Sequence, residues 1–392
     1  MIKQLPDTLA MIAALIEQPS VSCTDPAIDQ GNLSVINLIA EWAETIGFKV
    51  EVNPLSNNPG KANLIATLGG NSNNNGLVLS GHTDTVPFDG TKWASDPFKL
   101  TEKEHRLYGL GSADMKSFFA LALSAANHFD AKKLHQPLTL IATCDEESTM
   151  SGARMLVEQA IKPGRYAIIG EPTNLRPVRM HKGIMMESIV IHGKGGHSSD
   201  PELGANAIEG MHKVVHALLK WRREIQAKNR NPHFKVDVPT MNFGSIHGGD
   251  NPNRICSHCE TQIDIRPLPG MDLDELRDDL KKVLEPILES DAGLALEINS
   301  LFPGTPPFET AEDAKIIQST EKVSGHKAEA VAFGTEAPYL NQLGLETVIM
   351  GPGSIDQAHQ PDEYLALNQI NPTISFIEQM IGQFCFSPKA GK

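Results

Sequence analysis

No stretch of this chain approaches the ~20 unbroken apolar residues that a membrane-crossing helix needs, so no membrane span is expected. Cysteine is scarce and odd in number, five in 392 residues. That argues against a disulfide framework and for a cytoplasmic protein. Positive charge is also short: 34 Lys and Arg face 48 Asp and Glu, a formal net charge of -14. Nucleic acid and anionic membranes are therefore disfavoured as partners, although a local basic pocket for a small anion is not. The opening "MIKQLPDTLAMIAALIEQPS" lacks the cleavage site and long apolar core of a signal peptide. Leu5, Leu9, Ile12 and Ile16 instead predict an amphipathic first helix. Familiar catalytic signatures are missing too. There is no G-x-S-x-G of a serine hydrolase. There is no H-E-x-x-H, no Walker A loop and no G-x-G-x-x-G after a strand. One C-x-x-C, Cys256 and Cys259, has no second copy. On an alternating strand those thiols face opposite ways, so packed thiols are expected rather than a zinc or redox pair.

What is present is an ordinary α/β texture, 40% hydrophobic and 21% charged, long enough for two domains. Helical periodicity covers about 5–18 and 32–47. "NLIATL", "GLVLSGHTD", "LTLIATCDEE" and "YAIIGEPT" read as strands, several of them continuously apolar. Strands covered by helices on both faces read that way. "SADMKSFFALALSAANHF" reads as a buried helix and "NSNNNG" (71–76) as a turn. From about 186 the texture changes. "MESIVIHGKG" alternates, and a helix follows with Ile208, Met211, Val215 and Leu218 on one stripe. Strands are expected near 240–247 and 255–267. Asp272 and Glu275 are placed for a capping box, Pro286 for a helix end, and "LALEINSLF" for a last strand. The order is βαββαβ, that of a ferredoxin-like unit. The expected fold is thus an α/β catalytic domain with a mixed sheet (1–182 and 299–392), interrupted by an inserted lid or dimerisation domain (183–298).

"VLSGHTD", "LIATCDEE", "AIIGEPT" and "TVIMGPGSIDQAH" each set an acid or histidine at or beyond the end of an apolar strand. Ligand sites of open α/β sheets gather outside those carboxyl ends. "GLGSADMK" adds Asp114 at the expected start of a helix. Together they supply His82, Asp84, Asp114, Asp145, Glu146, Glu147, Glu171 and His359. A lone strand-end histidine or helix-capping aspartate is usually structural. Several buried acids in one crevice are costly without a counter-charge. Two histidines with carboxylates and no thiolate suit zinc or a similar divalent ion. His82 and Asp84, two apart on extended chain, point the same way, so Asp84 is expected to orient His82. Adjacent Glu146 and Glu147 are expected to diverge, one binding metal and one free as a base.

The stretches "SGHTDTVP", "GLGSADMK", "DEES", "GEPT", "KGGHSSDP" and "QAHQPDEY" resemble the signatures of the dinuclear zinc aminoacylase and carboxypeptidase family over nearly the whole chain. The resemblance implies two divalent ions, zinc with cobalt as an alternative. His82 and Glu171 would complete one metal site and Glu147 and His359 the other, with Asp114 bridging. It implies Glu146 as general base, Asp84 as support for His82, and His197 reaching a catalytic centre across a homodimer. The implied reaction is hydrolysis of an N-acyl amino acid by an activated water. Ser117 stands where the family has glycine. A substrate with an α-carboxylate and a cationic arm would call for Arg254 on the carboxylate, with Arg179 and Lys182 as alternatives. Glu336 is the expected partner of the ammonium. Sister hydrolases with another acyl group or amine remain open on these residues, as does a non-catalytic metal-binding protein.

Overall fold

The computed structural model describes residues 4–70, 75–288 and 291–386; the turn expected at 71–76 falls largely outside them. The chain forms two compact units. The first comprises Met1–Arg179, Thr310–Glu329 and Thr335–Lys392, the second Met180–Glu309 and Ala330–Gly334. The second is thus larger than 183–298. Its extra segments are held by backbone pairing: Phe308 and Glu309 lie antiparallel to His181 and Met180. The Lys182 N–H also donates to the Val331 carbonyl at 3.4 Å.

The first unit is built on a mixed sheet. Its strands run in the order Lys49–Leu55, Asn58–Leu68, Leu138–Thr143, Leu77–His82, Tyr166–Pro172 and Glu346–Gly351. The last four are mutually parallel, and Leu138–Thr143 and Leu77–His82 are buried throughout. Continuous apolar sequence therefore did report cover on both faces. The chain passes from Leu77–His82 to Leu138–Thr143 on one side, then returns to Tyr166–Pro172 on the other. That reversal makes a switch point, with His82 and Glu171 on the neighbouring strands beside it.

The helix Ser117–Ala126 is buried at nearly every position. It lies so close to the sheet that a Cβ on Gly170 would come within 2.1 Å of the Phe118 ring. Glycine therefore lets this helix pack directly below Glu171. The Ser117 hydroxyl is buried without a hydrogen-bond partner. Two apolar stripes differ from expectation. The first helix, Thr8–Ile16, buries Met11, Ile12, Leu15 and Ile16, while Leu9 is exposed. Asp7 caps it by accepting from the Ala10 N–H at 2.9 Å.

The second unit holds an antiparallel sheet ordered Thr240–Gly248, His258–Arg266, Met185–His192 and Ala295–Ser300. Helices Ala207–Lys228 and Leu273–Leu284 pack on one face, giving βαββαβ. The long helix buries Met211, Val214, Leu218, Trp221 and Ile225, leaving Ile208 exposed and Val215 half-buried. Met185–His192 is more deeply buried than its alternation suggested: Ser188 and Val190 are buried as well as the helix-facing residues, among which Glu187 ion-pairs with Arg277 at 2.9 Å. Asp272 caps its helix through the Asp274 and Glu275 N–H groups, and the α-helix ends at Leu284, before Pro286. All five cysteines are free, and Cys256 and Cys259 are packed in this unit's core. Among the described residues no helix is long and apolar enough to cross a membrane.

Candidate metal centre and active site

The four parallel strands end at one place and deliver the polar residues there. His82 is the last residue of its strand, and Glu171 lies one residue before the end of its own. Leu138–Thr143 stops early, so Glu146 and Glu147 sit on a following turn rather than on extended chain. Asp145, in the left-handed region at φ 58°, starts that turn. The placement of the two glutamates is therefore set by the turn and not by strand alternation. His359 follows Glu346–Gly351 on an exposed loop. Asp114 lies three residues before Ser117–Ala126, in a turn whose Asp114–Met115 peptide is cis; it does not cap that helix.

Ligand atoms of His82, Asp114 and Glu147 all lie within 4.8 Å of one another. His82 Nε2 is 3.1 Å from Asp114 Oδ1 and 3.9 Å from Glu171 Oε1. His359 Nε2 is 3.0 Å from Glu147 Oε2 and 3.6 Å from Asp114 Oδ2. Asp114 is therefore shared between the two histidines, one on each of its oxygens.

Asp84 acts differently from expectation. His82 Nδ1 donates to the Asp84 backbone carbonyl at 3.0 Å, while the carboxylate stands 3.7 Å away. Asp84 Oδ2 accepts the Glu147 N–H at 3.0 Å, and Oδ1 is buried with no hydrogen-bond partner. Asp84 thus fixes the His82 ring through its main chain and the Glu147 turn through its side chain. Asp145 faces elsewhere, 2.5 Å from the buried Lys61 ammonium.

The electrostatics are those of a site with too much negative charge. Burial pushes the Asp84 carboxyl up to about 6, against the pull of His82. Glu146, partly buried, and Glu171 are raised well above the carboxylate range. Burial is the main cause, and neighbouring carboxylates add to it. Burial opposes a charge on His82, yet Asp114, Glu171, Glu146 and Asp84 together hold its pKa well above the imidazole value. The Glu147 hydrogen bond raises His359 to about 9. Two imidazoles among five carboxylates, one of these with an orphaned oxygen, form a donor set that a pair of divalent cations fits.

Glu363 was not singled out from the sequence. It is buried and accepts N–H groups from Gly111, Ala113 and Asp114 at 3.0, 2.7 and 2.9 Å. It clamps the loop that carries Asp114. Burial and the Asp114 charge push it up to about 8. Its signal was an acid within "QPDEY", immediately before the strand Tyr364–Ala366.

The substrate-binding expectations divide. Glu336 is buried, with one oxygen accepting from the Ser80 hydroxyl at 2.5 Å and the other from Thr143 at 2.6 Å. It cannot meet a substrate ammonium. Glu336→Ala is expected to lower unfolding free energy by roughly 1–3 kcal/mol, since two buried hydroxyls lose their acceptor. Its kinetic effects should be equal for charged and uncharged substrates; thermal melts and paired KM measurements check both. Lys182 is buried and donates to the Val236 and Val238 carbonyls at 2.9 and 2.7 Å. Arg179 is buried beside the Thr310 carbonyl. Neither is open to a ligand.

Arg254 is exposed, paired with Asp250 at 2.7 Å, and lines second-unit clefts of about 450 and 630 Å³. It sits directly opposite His197 on the two-stranded ribbon Gly196–His197 and Arg254–Ile255. His197 is exposed, and its Nδ1 meets the Ser199 hydroxyl at 2.7 Å. Both belong to the second unit, and the metal cluster to the first.

Known proteins resemble this chain in sequence and in fold. Over 384 residues the chain is 47% identical to acetylornithine deacetylase of Photorhabdus laumondii, covering 98% of this chain and 99% of that protein. It is 48% identical over 388 residues to the acetylornithine deacetylase of Proteus mirabilis, covering 99% of each. Among solved structures, a metallo-carboxypeptidase from Sulfolobus solfataricus superposes with a TM-score of 0.76 at 19% identity, covering 97% of this chain and 99% of that one. A tripeptidase from Staphylococcus aureus gives 0.74 at 20%, covering 98% and 99%. At those identities the likeness speaks for the fold. The family model described as Peptidase family M20/M25/M40 matches residues 78–383. With metal-ligand candidates at the carboxyl ends of its parallel strands, the chain belongs to peptidase family M20/M25/M40.

Proposed function

We propose that this protein hydrolyses N2-acetyl-L-ornithine to L-ornithine and acetate, a step of arginine biosynthesis, in the cytoplasm. The observation that carries the reading is its full-length likeness, at 47%, to proteins named for that reaction. The chemistry gathered around Asp114 supports it. His82, Glu171 and Asp114 would hold one divalent ion, and Glu147, His359 and Asp114 a second, with zinc expected and cobalt an alternative. Such ions supply Lewis acidity, making an attacking water more acidic and an acyl carbonyl more electrophilic.

Glu146, free of that set, takes the proton of the attacking water. A C–O bond forms at the acyl carbon, the C–N bond breaks, and Glu146 returns the proton to the leaving nitrogen. Burial raises its pKa, and bound cations would lower it again, freeing the carboxylate to accept a proton. Asp84 keeps His82 and Glu147 aligned. We assign the first unit as catalytic and the second as a lid and dimerisation domain. There Arg254 would bind the α-carboxylate, and His197 would serve the partner subunit's centre. Light scattering at twice 42.6 kDa is expected, and a strict monomer would remove that role of His197.

The decisive experiment measures acetate release from N2-acetyl-L-ornithine by protein loaded with zinc or cobalt. Succinyl-diaminopimelate, a neutral N-acetyl amino acid and a dipeptide are run beside it. Preferential turnover of acetylornithine is expected. Faster turnover of another substrate would move the protein to a desuccinylase, general aminoacylase or dipeptidase activity. No turnover of any would leave a metal-binding protein without catalysis.

A further inference from the structure

The counter-charge for the substrate's cationic arm is left unassigned once Glu336 is found buried. A cavity of about 170 Å³ in the first unit adjoins His359, and the chemistry above does not use it. Phe88, Asp89, Trp93, Leu110 and Pro361 line it, with Lys92. A cavity of roughly 150 Å³ holds a benzene-sized guest, so a short methylene arm fits.

Asp89 is half-exposed. Its Oδ1 is fixed by the Thr91 N–H at 3.1 Å and the Thr91 hydroxyl at 2.6 Å. Those bonds also hold its pKa below the usual carboxylate value, so it is ionised at neutral pH. Its Oδ2 lies 3.4 Å from Lys92, a solvent-exposed pair of the kind a second cation readily displaces. Phe88 is held by an edge-on contact with Phe98 at 5.1 Å. A carboxylate beside aromatic rings is the usual environment of a bound ammonium, because the ring faces are electron-rich.

We infer that this cavity receives the side-chain ammonium of the substrate, with Asp89 as counter-charge and Phe88 and Trp93 as walls. The inference rests on acetylornithine as substrate and adds the residue that selects its cationic arm. Glu336 stays a structural acceptor, and Asp89 takes the specificity role.

The test compares N2-acetyl-L-ornithine with N-acetyl-L-norvaline, which has the same carbon chain and no ammonium, in the metal-loaded wild type and Asp89→Asn. Asparagine keeps the oxygen that accepts from Thr91, and an unchanged melting temperature verifies the fold. The preference for the ornithine substrate is expected to fall roughly tenfold or more, through KM rather than kcat. Calorimetry should show the same loss in affinity for L-ornithine and not for L-norvaline, a readout independent of turnover. Lys92→Ala should hold or lower KM for acetylornithine. An unchanged preference in Asp89→Asn would overturn the inference. So would a raised KM in Lys92→Ala, which would mean that the cavity takes an anionic group. Wild-type protein that hydrolyses neither acetyl substrate would overturn the functional reading itself, and the inference with it.

Discussion

Glu146→Gln is expected to lower turnover about a thousandfold while leaving metal content close to the wild-type value. The size follows from losing a positioned general base, typically worth ~10²–10⁴ in rate. Metal content should hold because the His82, Asp114 and Glu147 donor atoms form a cluster without Glu146. The substitution is also mild structurally, since Glu146 sits on a turn, is only partly buried, and glutamine keeps its size. Elemental analysis with steady-state kinetics on one preparation checks both halves. Turnover within tenfold of wild type would remove Glu146 as base. Loss of metal together with activity would instead make it a ligand. The result also separates an enzyme from a metal-binding protein, because a base serves no purpose in the latter.

Removing metal with a chelator should abolish turnover, lower the melting temperature, and leave a protein that takes up protons. Without cations the site holds Asp84 at about 6, Glu146 and Glu171 raised well above their usual range, and His359 at about 9. His82 is raised as well. At neutral pH His359 therefore carries a proton that it must give up as a ligand, and Glu146, Glu171 and His82 hold theirs more tightly than free groups do. Metal binding accordingly releases protons, and affinity rises with pH through the window from about 6 to about 9. Below that window protons win and affinity falls. Binding measured in buffers of different ionisation enthalpy counts the protons. Affinity independent of pH across this window would contradict the electrostatic picture. Because a bound ion stabilises the folded state by mass action, about 4 kcal/mol at a thousand times Kd, the change in melting temperature should be large. Zinc or cobalt added back should restore activity and melting temperature together.

Much of the site could be read from the sequence because its residues lie where local rules apply. His82 and Glu171 close strands whose apolar runs are unmistakable, and Glu146, Glu147 and His359 follow strands of the same kind. The expectations that failed concerned which way a side chain faces. Glu336, Arg179 and Lys182 are charged, and charge in sequence suggests a surface. Each is buried against hydroxyls or backbone carbonyls contributed by distant segments. Leu9 and Ile208 sit at helical spacing with buried neighbours yet face outward, since a stripe can rotate by one residue without changing its period. Glu363 went unnoticed because its three N–H partners lie some 250 positions earlier in the chain.

The sequence by itself determined the alternation of elements, the βαββαβ insert, and the residue types delivered to the carboxyl ends of parallel strands. These follow from period, apolar runs and turn chemistry, all of which are local. Only the tertiary structure decided that Glu363 clamps the Asp114 loop, that Asp84 holds His82 through its carbonyl, and that Glu336 is buried against Ser80 and Thr143. Those facts depend on which distant backbone lies within hydrogen-bonding distance of a side chain. The burial and charge at each carboxylate, and hence its proton affinity, follow from the same proximity.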